Sequence, residues 1–165
     1  MKRTPLKRGT KEMKRSTLKT KTTLKTKTKL KSKSKSEISI LKRKLWKIVS
    51  VRIKIRDKYI CFTSDKEVEG RNAHCGHGIP DACSGARLRY HPKNLHCQSY
   101  NENINLGGNG GEYYRRQVKK YGQETTDNLY TLKNTFMKAD SIYYKKLIDL
   151  YKNATWEDIE HYLES

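Results

Sequence analysis

The chain is short of three things: long apolar runs, acidic residues and cysteine. No apolar run approaches the roughly 20 residues needed to cross a bilayer, and none follows the basic N-terminus as a signal peptide requires. Neither a membrane span nor secretion is therefore expected, and the expected compartment is the cytoplasm. Only 17 Asp and Glu stand against 37 Lys and Arg, a formal net charge of +20. That imbalance points to a polyanionic partner, nucleic acid first and an anionic membrane surface second. Four cysteines in a chain read as unsecreted point to reduced thiols or metal ligands rather than to disulfides. With 165 residues there is room for one modest domain and a tail, not for two cores.

What is present divides sharply. Residues 1–36 alternate Lys with Thr or Ser and carry 15 Lys and Arg against the single Glu12. The remainder holds 22 basic and 16 acidic residues, so most of the excess charge lies on the tail. A segment so polar and self-repelling is expected to stay disordered alone. It reads either as a solubilising tail or as a flexible arm on phosphates, where binding would be salt-sensitive and blind to base sequence.

Residues 37–165 read as the folded domain. From Glu37 to about Arg56, apolar residues recur at helical spacing, with Ile38, Leu41, Leu45, Ile48 and Ile55 on one stripe. Trp46, Val49 and Ile53 widen it, and Ser34 or Ser36 is placed to cap its start. This is expected to be a support helix whose basic residues face solvent, with DNA contact by that basic face as the alternative. Tyr59 to Thr63 suits a short strand before a turn at Ser64–Lys66. Later helices are expected over Glu112–Tyr121, stopped by Gly122, and roughly over Glu124–Lys133, Ala139–Lys152 and Trp156–Glu164. Thr155 and Asp158 resemble a capping box for the last, and Ile142, Leu147, Leu150 and Tyr151 look like packing residues.

The chemistry is concentrated between His74 and Gly122. This stretch holds four of the five histidines, three of the four cysteines and most of the glycines. His, Asn and Gly at such density make poor core material, because their polar atoms need partners. Set on a sharply turning backbone, they suit a metal-assisted site. His77, Asn94 and Asn103 form a mechanistic set for phosphodiester hydrolysis. An imidazole titrates near neutrality and serves as base; an asparagine carbonyl is a hard oxygen suited to Mg²⁺; a second asparagine can hold the histidine ring in one tautomer.

The ordered series Gly76-His77, Leu88-Arg89-Tyr90, Asn94, His96, Gln98, Asn103, Gly108-Asn109, Tyr113 and Tyr121-Gly122-Gln123-Glu124 resembles the NinG (Rap) recombination endonucleases of lambda-type phages. Those belong with the HNH and endonuclease VII-like ββα-metal nucleases. The resemblance covers about Ile60 to Asp127, continues more loosely into the C-terminal helices, and omits the tail. It implies an α+β fold, a small ββα-metal (HNH-like) core over about 59–122 flanked by α-helices. It implies a phage-encoded protein of the bacterial host cytoplasm that cuts branched or recombining DNA, Holliday junctions or displacement loops, using Mg²⁺ or Mn²⁺. Carried over by position, His77 is the general base, Asn94 the middle residue of the H-N-H signature, and Asn103 a metal ligand. His77 and His96 complete the expected ligand set, and Arg87, Arg89, Lys93, Arg115, Arg116 and Lys119 are the expected DNA contacts.

Two departures accompany the resemblance. Of the four family zinc cysteines only Cys61 remains, the others being Ser64, Ser99 and Glu102, so a structural zinc is not expected. Endonuclease VII-type sites also carry a carboxylate just before the histidine, where this chain has Gly76; His74, His96, Asp81 and Glu112 are the candidates for the missing ligand. The alternative reading is a catalytically decayed DNA-binding protein of the same fold. A ribosome-type RNA-binding protein fits the tail equally well and leaves the central stretch unexplained. A homodimer is expected if two opposed strands are cut.

Overall fold

Ser36 is the first residue described: its hydroxyl accepts the Ser39 amide at 3.3 Å and caps the first helix. The computed structural model describes residues 36–133, 135 and 137–165, so the expectations for the tail lie outside the described residues. Helix α1 runs Glu37–Arg56, β1 Ala73–His77, α2 Gly85–Arg89, β2 Leu95–Ser99, α3 Gly110–Tyr121, α4 Gln123–Leu132, α5 Ser141–Asn153 and α6 Trp156–Glu164. The architecture is α+β, mostly helical, with one two-stranded antiparallel sheet. Gly122 ends α3 at φ 88°, and Thr155 and Asp158 form a reciprocal capping box on α6.

Leu45, Val49 and Ile53, one i, i+4 row, bury the inner face of α1 against Leu147, Ile148 and Tyr151 of α5. Ile159 and Leu163 of α6 close one side, and Cys75 and Leu95 bring one face of the sheet into the same core. The expected stripe is therefore corrected. Ile38 and Ile55 are exposed, and Val49 and Ile53 take their place because α5 lies along that row. In α5, Leu147 and Tyr151 are buried as expected, whereas Ile142 is 73% exposed.

The strand expected at Tyr59–Thr63 does not form. Ile60 makes a single bridge to Glu67, and the chain turns through positive φ at Lys58, Tyr59 and Asp65. The Cys61 carbonyl accepts the Asp65 amide at 2.9 Å, so the run is consumed in a tight loop. Cys61, Cys75 and Cys97 are free and buried, and Cys83 is free and exposed.

Arg52 ties α1 to the far end of α5. Its guanidinium donates to the carbonyls of Leu150, Tyr151 and Ala154 and stacks over Trp156 at 4.5 Å. A helix end leaves such carbonyls short of backbone partners, although that of Leu150 also accepts the Ala154 amide at 2.9 Å. Arg52→Met, which keeps much of the stem and loses the donors, is expected to cost about 2 kcal/mol. The urea midpoint measures it.

Candidate active site

Side chains alternate across a strand, and the register pairs His74 with Gln98, Gly76 with His96, and His77 with Leu95. His74, Gly76, His96 and Gln98 therefore share the face beneath α3. Cys75, His77 and Leu95 share the face toward α1. The end of β1 is thus addressed from two sides.

On the α1 side, the His77 ring stacks on Trp46 at 5.3 Å and 7°. Its Nε2 lies 3.1 Å from the Arg89 carbonyl. A carbonyl only accepts, so Nε2 carries the hydrogen and Nδ1 keeps its lone pair. Nδ1 makes no hydrogen bond among the described residues. Burial lowers the His77 pKa, while the Asp81 charge pulls it back up. The result is a neutral imidazole with one open basic nitrogen.

Asn94 does not hold that ring, contrary to expectation; the Arg89 backbone does. Asn94 is fully buried and saturated: Oδ1 accepts the Ile79 amide at 2.7 Å, and Nδ2 donates to the Ile79 and Leu88 carbonyls. It pins the backbone just after His77 to the backbone just before Arg89. Asn94 is a positioning residue for the pair.

His96 is likewise committed. It has no exposed surface, its Nδ1 lies 2.8 Å from the Tyr113 hydroxyl, and its Nε2 lies 2.8 Å from the Tyr121 hydroxyl. Tyr113 spends its one proton on the Asn94 carbonyl at 3.0 Å, so His96 Nδ1 donates and Nε2 accepts from Tyr121. Both nitrogens are used, and no lone pair is left for a metal. Desolvation, with Arg56 and Lys120 adding to it, drives the His96 pKa well down.

His91 is buried too and is lowered to about 4, chiefly by desolvation, so its contact with Glu164 at 3.1 Å is a hydrogen bond from a neutral ring. Unfolded histidines bind protons near pH 6.5, and these two bind them only at lower pH when folded. Their stabilising contribution is complete above about pH 6.5 and is lost as pH falls, His91 levelling off near 4. The urea midpoint should drop between pH 7 and 5, and His96→Gln should flatten that slope.

On the α3 side, Asn103 lies in a π-helical turn, Asn101–Asn105, a geometry that recurs at functional sites. Its Nδ2 is 3.1 Å from His74 Nδ1, so His74, among the candidates for the missing ligand, is the one that meets Asn103. Asn103 Oδ1 stands 3.1 Å from where a Cβ on Gly76 would be, and Gln98 Oε1 stands 1.9 Å from that point. Gln98 donates through Nε2 to Thr63 and to the Gly108 carbonyl, which leaves Oε1 buried without a partner. The expected ligand set of Asn103, His77 and His96 is therefore split. His96 is sealed off, and His77 and Asn103 occupy opposite faces of β1.

The amide oxygens of Asn103 and Gln98, beside His74 and above a glycine, fit a hard divalent cation such as Mg²⁺ or Mn²⁺. Zinc does not fit at the knuckle. Cys61 Sγ accepts the Ser99 amide at 3.3 Å, Ser99 Oγ accepts the Glu102 amide at 3.2 Å, and the Glu102 carboxylate is held by Asn109 at 2.8 Å. One thiol among hydroxyls and an occupied carboxylate is not a tetrahedral zinc set.

The expected DNA contacts are largely neutralised within the fold. Arg89 Nε lies 3.0 Å from Asp81, Lys93 reaches Glu160 at 2.8 Å, and Arg115 and Arg116 both bind Glu112. Arg87 and Lys119 have no acidic partner among the described residues. Arg43, Lys44 and Lys47 of α1 flank Ile40 in an open groove and have no acidic partner among the described residues. Arg43 lies one turn from Trp46, which stacks on His77.

A family model described as the bacteriophage lambda NinG protein matches residues 1–160. The chain belongs to the NinG family. No curated protein and no solved structure matches it. NinG membership makes this a phage recombination-related protein and extends over the tail, which the motif resemblance alone did not reach. None of the helices among the described residues is long and apolar enough to cross a membrane.

Proposed function

We propose that this NinG-family chain is a divalent-metal-dependent endonuclease of branched DNA, with an HNH-like core formed by β1, β2 and the segment through α3. The observation that carries the reading is His77: neutral, held by one nitrogen on the Arg89 carbonyl, and open at the other. It deprotonates the attacking water. Asn103 and Gln98 would hold a divalent cation through their amide oxygens, with His74 beside them, and the cation would supply neutralisation of the charge on the phosphorane and on the leaving oxygen. His77 follows Gly76 directly, and consecutive Cα atoms lie about 3.8 Å apart. A phosphodiester lying across the end of β1 is within reach from both faces. Arg43, Lys44 and Lys47 lie on the helix that carries Trp46 and offer its backbone unneutralised charge.

The decayed-nuclease reading has one observation in its favour: among the described residues, no three His, Cys, Asp or Glu gather as a metal cluster. A cleavage assay on duplex, flap and four-way substrates in Mg²⁺, Mn²⁺ and EDTA separates the two. Metal-dependent nicking of the branched substrates is expected. Tight binding with no cut under either metal selects the decayed protein.

A further inference from the structure

Beyond α1, the loop Asp57–Asp65 and the last turn of α3 line an open pocket of about 440 Å³. It lies one ring layer from the end of β1, because Phe62 in its wall stacks on His96 at 3.7 Å and 14°, and His96 is the register partner of Gly76. Its charge is unbalanced. Arg56 is paired with Asp57, and Arg116 with Asp65 and Glu112. Lys58, Lys119 and Lys120 also line it, and none of the three has a carboxylate within ion-pair distance among the described residues. Lys120 is held over the rings of Phe62 and Tyr121, at 5.6 and 5.1 Å. Desolvation, with the Arg56 charge, lowers its pKa. Ile60 adds an apolar wall, 40% exposed.

We propose that this pocket holds one nucleotide of an unpaired DNA strand, its phosphate among Lys58, Lys119 and Lys120 and its sugar and base against Ile60. The inference rests on the DNA reading above and adds what selects the substrate. A volume of this size admits a single small ligand and excludes a base-paired duplex, whose bases stay stacked. Branched DNA offers unpaired nucleotides at its branch point or flap; intact duplex does not. Selection of branched DNA would then come from a pocket and not from overall charge, which attracts both alike.

The test is fluorescence anisotropy with the full chain in EDTA, so that no cutting intervenes. The probes are a 5′ flap, a single-stranded 12-mer and a duplex, each titrated across salt. Lys119→Gln/Lys120→Gln should weaken flap and single-strand binding about tenfold and reduce the salt slope by roughly 1.4, two contacts at about 0.7 each. Duplex binding should change less than twofold. The Lys119→Arg/Lys120→Arg pair should restore flap binding, and an unchanged melting temperature shows that the glutamine pair still folds. An equal loss on all three probes, or no loss on any, overturns the pocket while leaving the nuclease reading standing. Failure of the wild-type chain to bind any of the probes overturns the DNA reading itself.

Discussion

Replacing His77 by alanine should stop the cutting of a four-way junction while leaving the junction bound. A positioned general base contributes about 10²–10⁴-fold, and that is the expected fall in kcat at saturating Mg²⁺. Burial keeps the His77 pKa below its ordinary value, so the working form is the neutral ring. Activity should hold as pH is lowered to about 6.5 and fail only below it, as the ring takes up a proton. Asp81 opposes the burial effect, so Asp81→Asn should shift that acid limb lower still. A merely structural histidine would not move the limb. Because His77 also stacks on Trp46, the control is His77→Gln, which keeps a polar side chain and removes the base. Full cleavage by either variant would place the base elsewhere, with His74 the next imidazole to test.

Local chemistry wrote much of this fold legibly. Ser36, Gly122 and the Thr155–Asp158 pair mark helix ends because a cap is settled within one turn. The buried row of α1 was less legible. Ile38, Leu41, Leu45 and Ile48 make as good an apolar stripe as Leu45, Val49 and Ile53, and only the packing of α5 chooses between them. The run Tyr59–Thr63 had strand composition, but it meets β2 only where the Phe62 amide donates to the Cys97 carbonyl at 2.7 Å, and positive φ at Tyr59 and Asp65 turns it out of a continued pairing. In the site, the position of His77 at the end of β1 was readable from its motif. Its partner was not, because Arg89 acts through a backbone carbonyl, which any residue would supply. His96 looked like a ligand because the two tyrosines that close it lie 17 and 25 residues away, on a helix face that spacing alone cannot aim.

Gly76→Ala should be the most damaging small substitution in the sheet, and the reason lies opposite it. A Cβ at Gly76 would stand 1.9 Å from Gln98 Oε1 and 2.7 Å from its amide carbon. Gln98 cannot swing aside freely, since its Nε2 is fixed to Thr63 and to the Gly108 carbonyl. Ordinary strand preference would favour alanine by about 0.5–1 kcal/mol, so a loss of about 3 kcal/mol would show that the clash wins. A double-mutant cycle separates this contact from a general intolerance of the strand. Gln98→Ala alone removes two hydrogen bonds and should cost about 1–3 kcal/mol. With the amide gone, adding Gly76→Ala should cost little, leaving a coupling energy of about 3 kcal/mol. Costs that simply add, within about 0.5 kcal/mol, would mean that the alanine methyl and the Gln98 amide never compete for the same space. The glycine would then need another explanation.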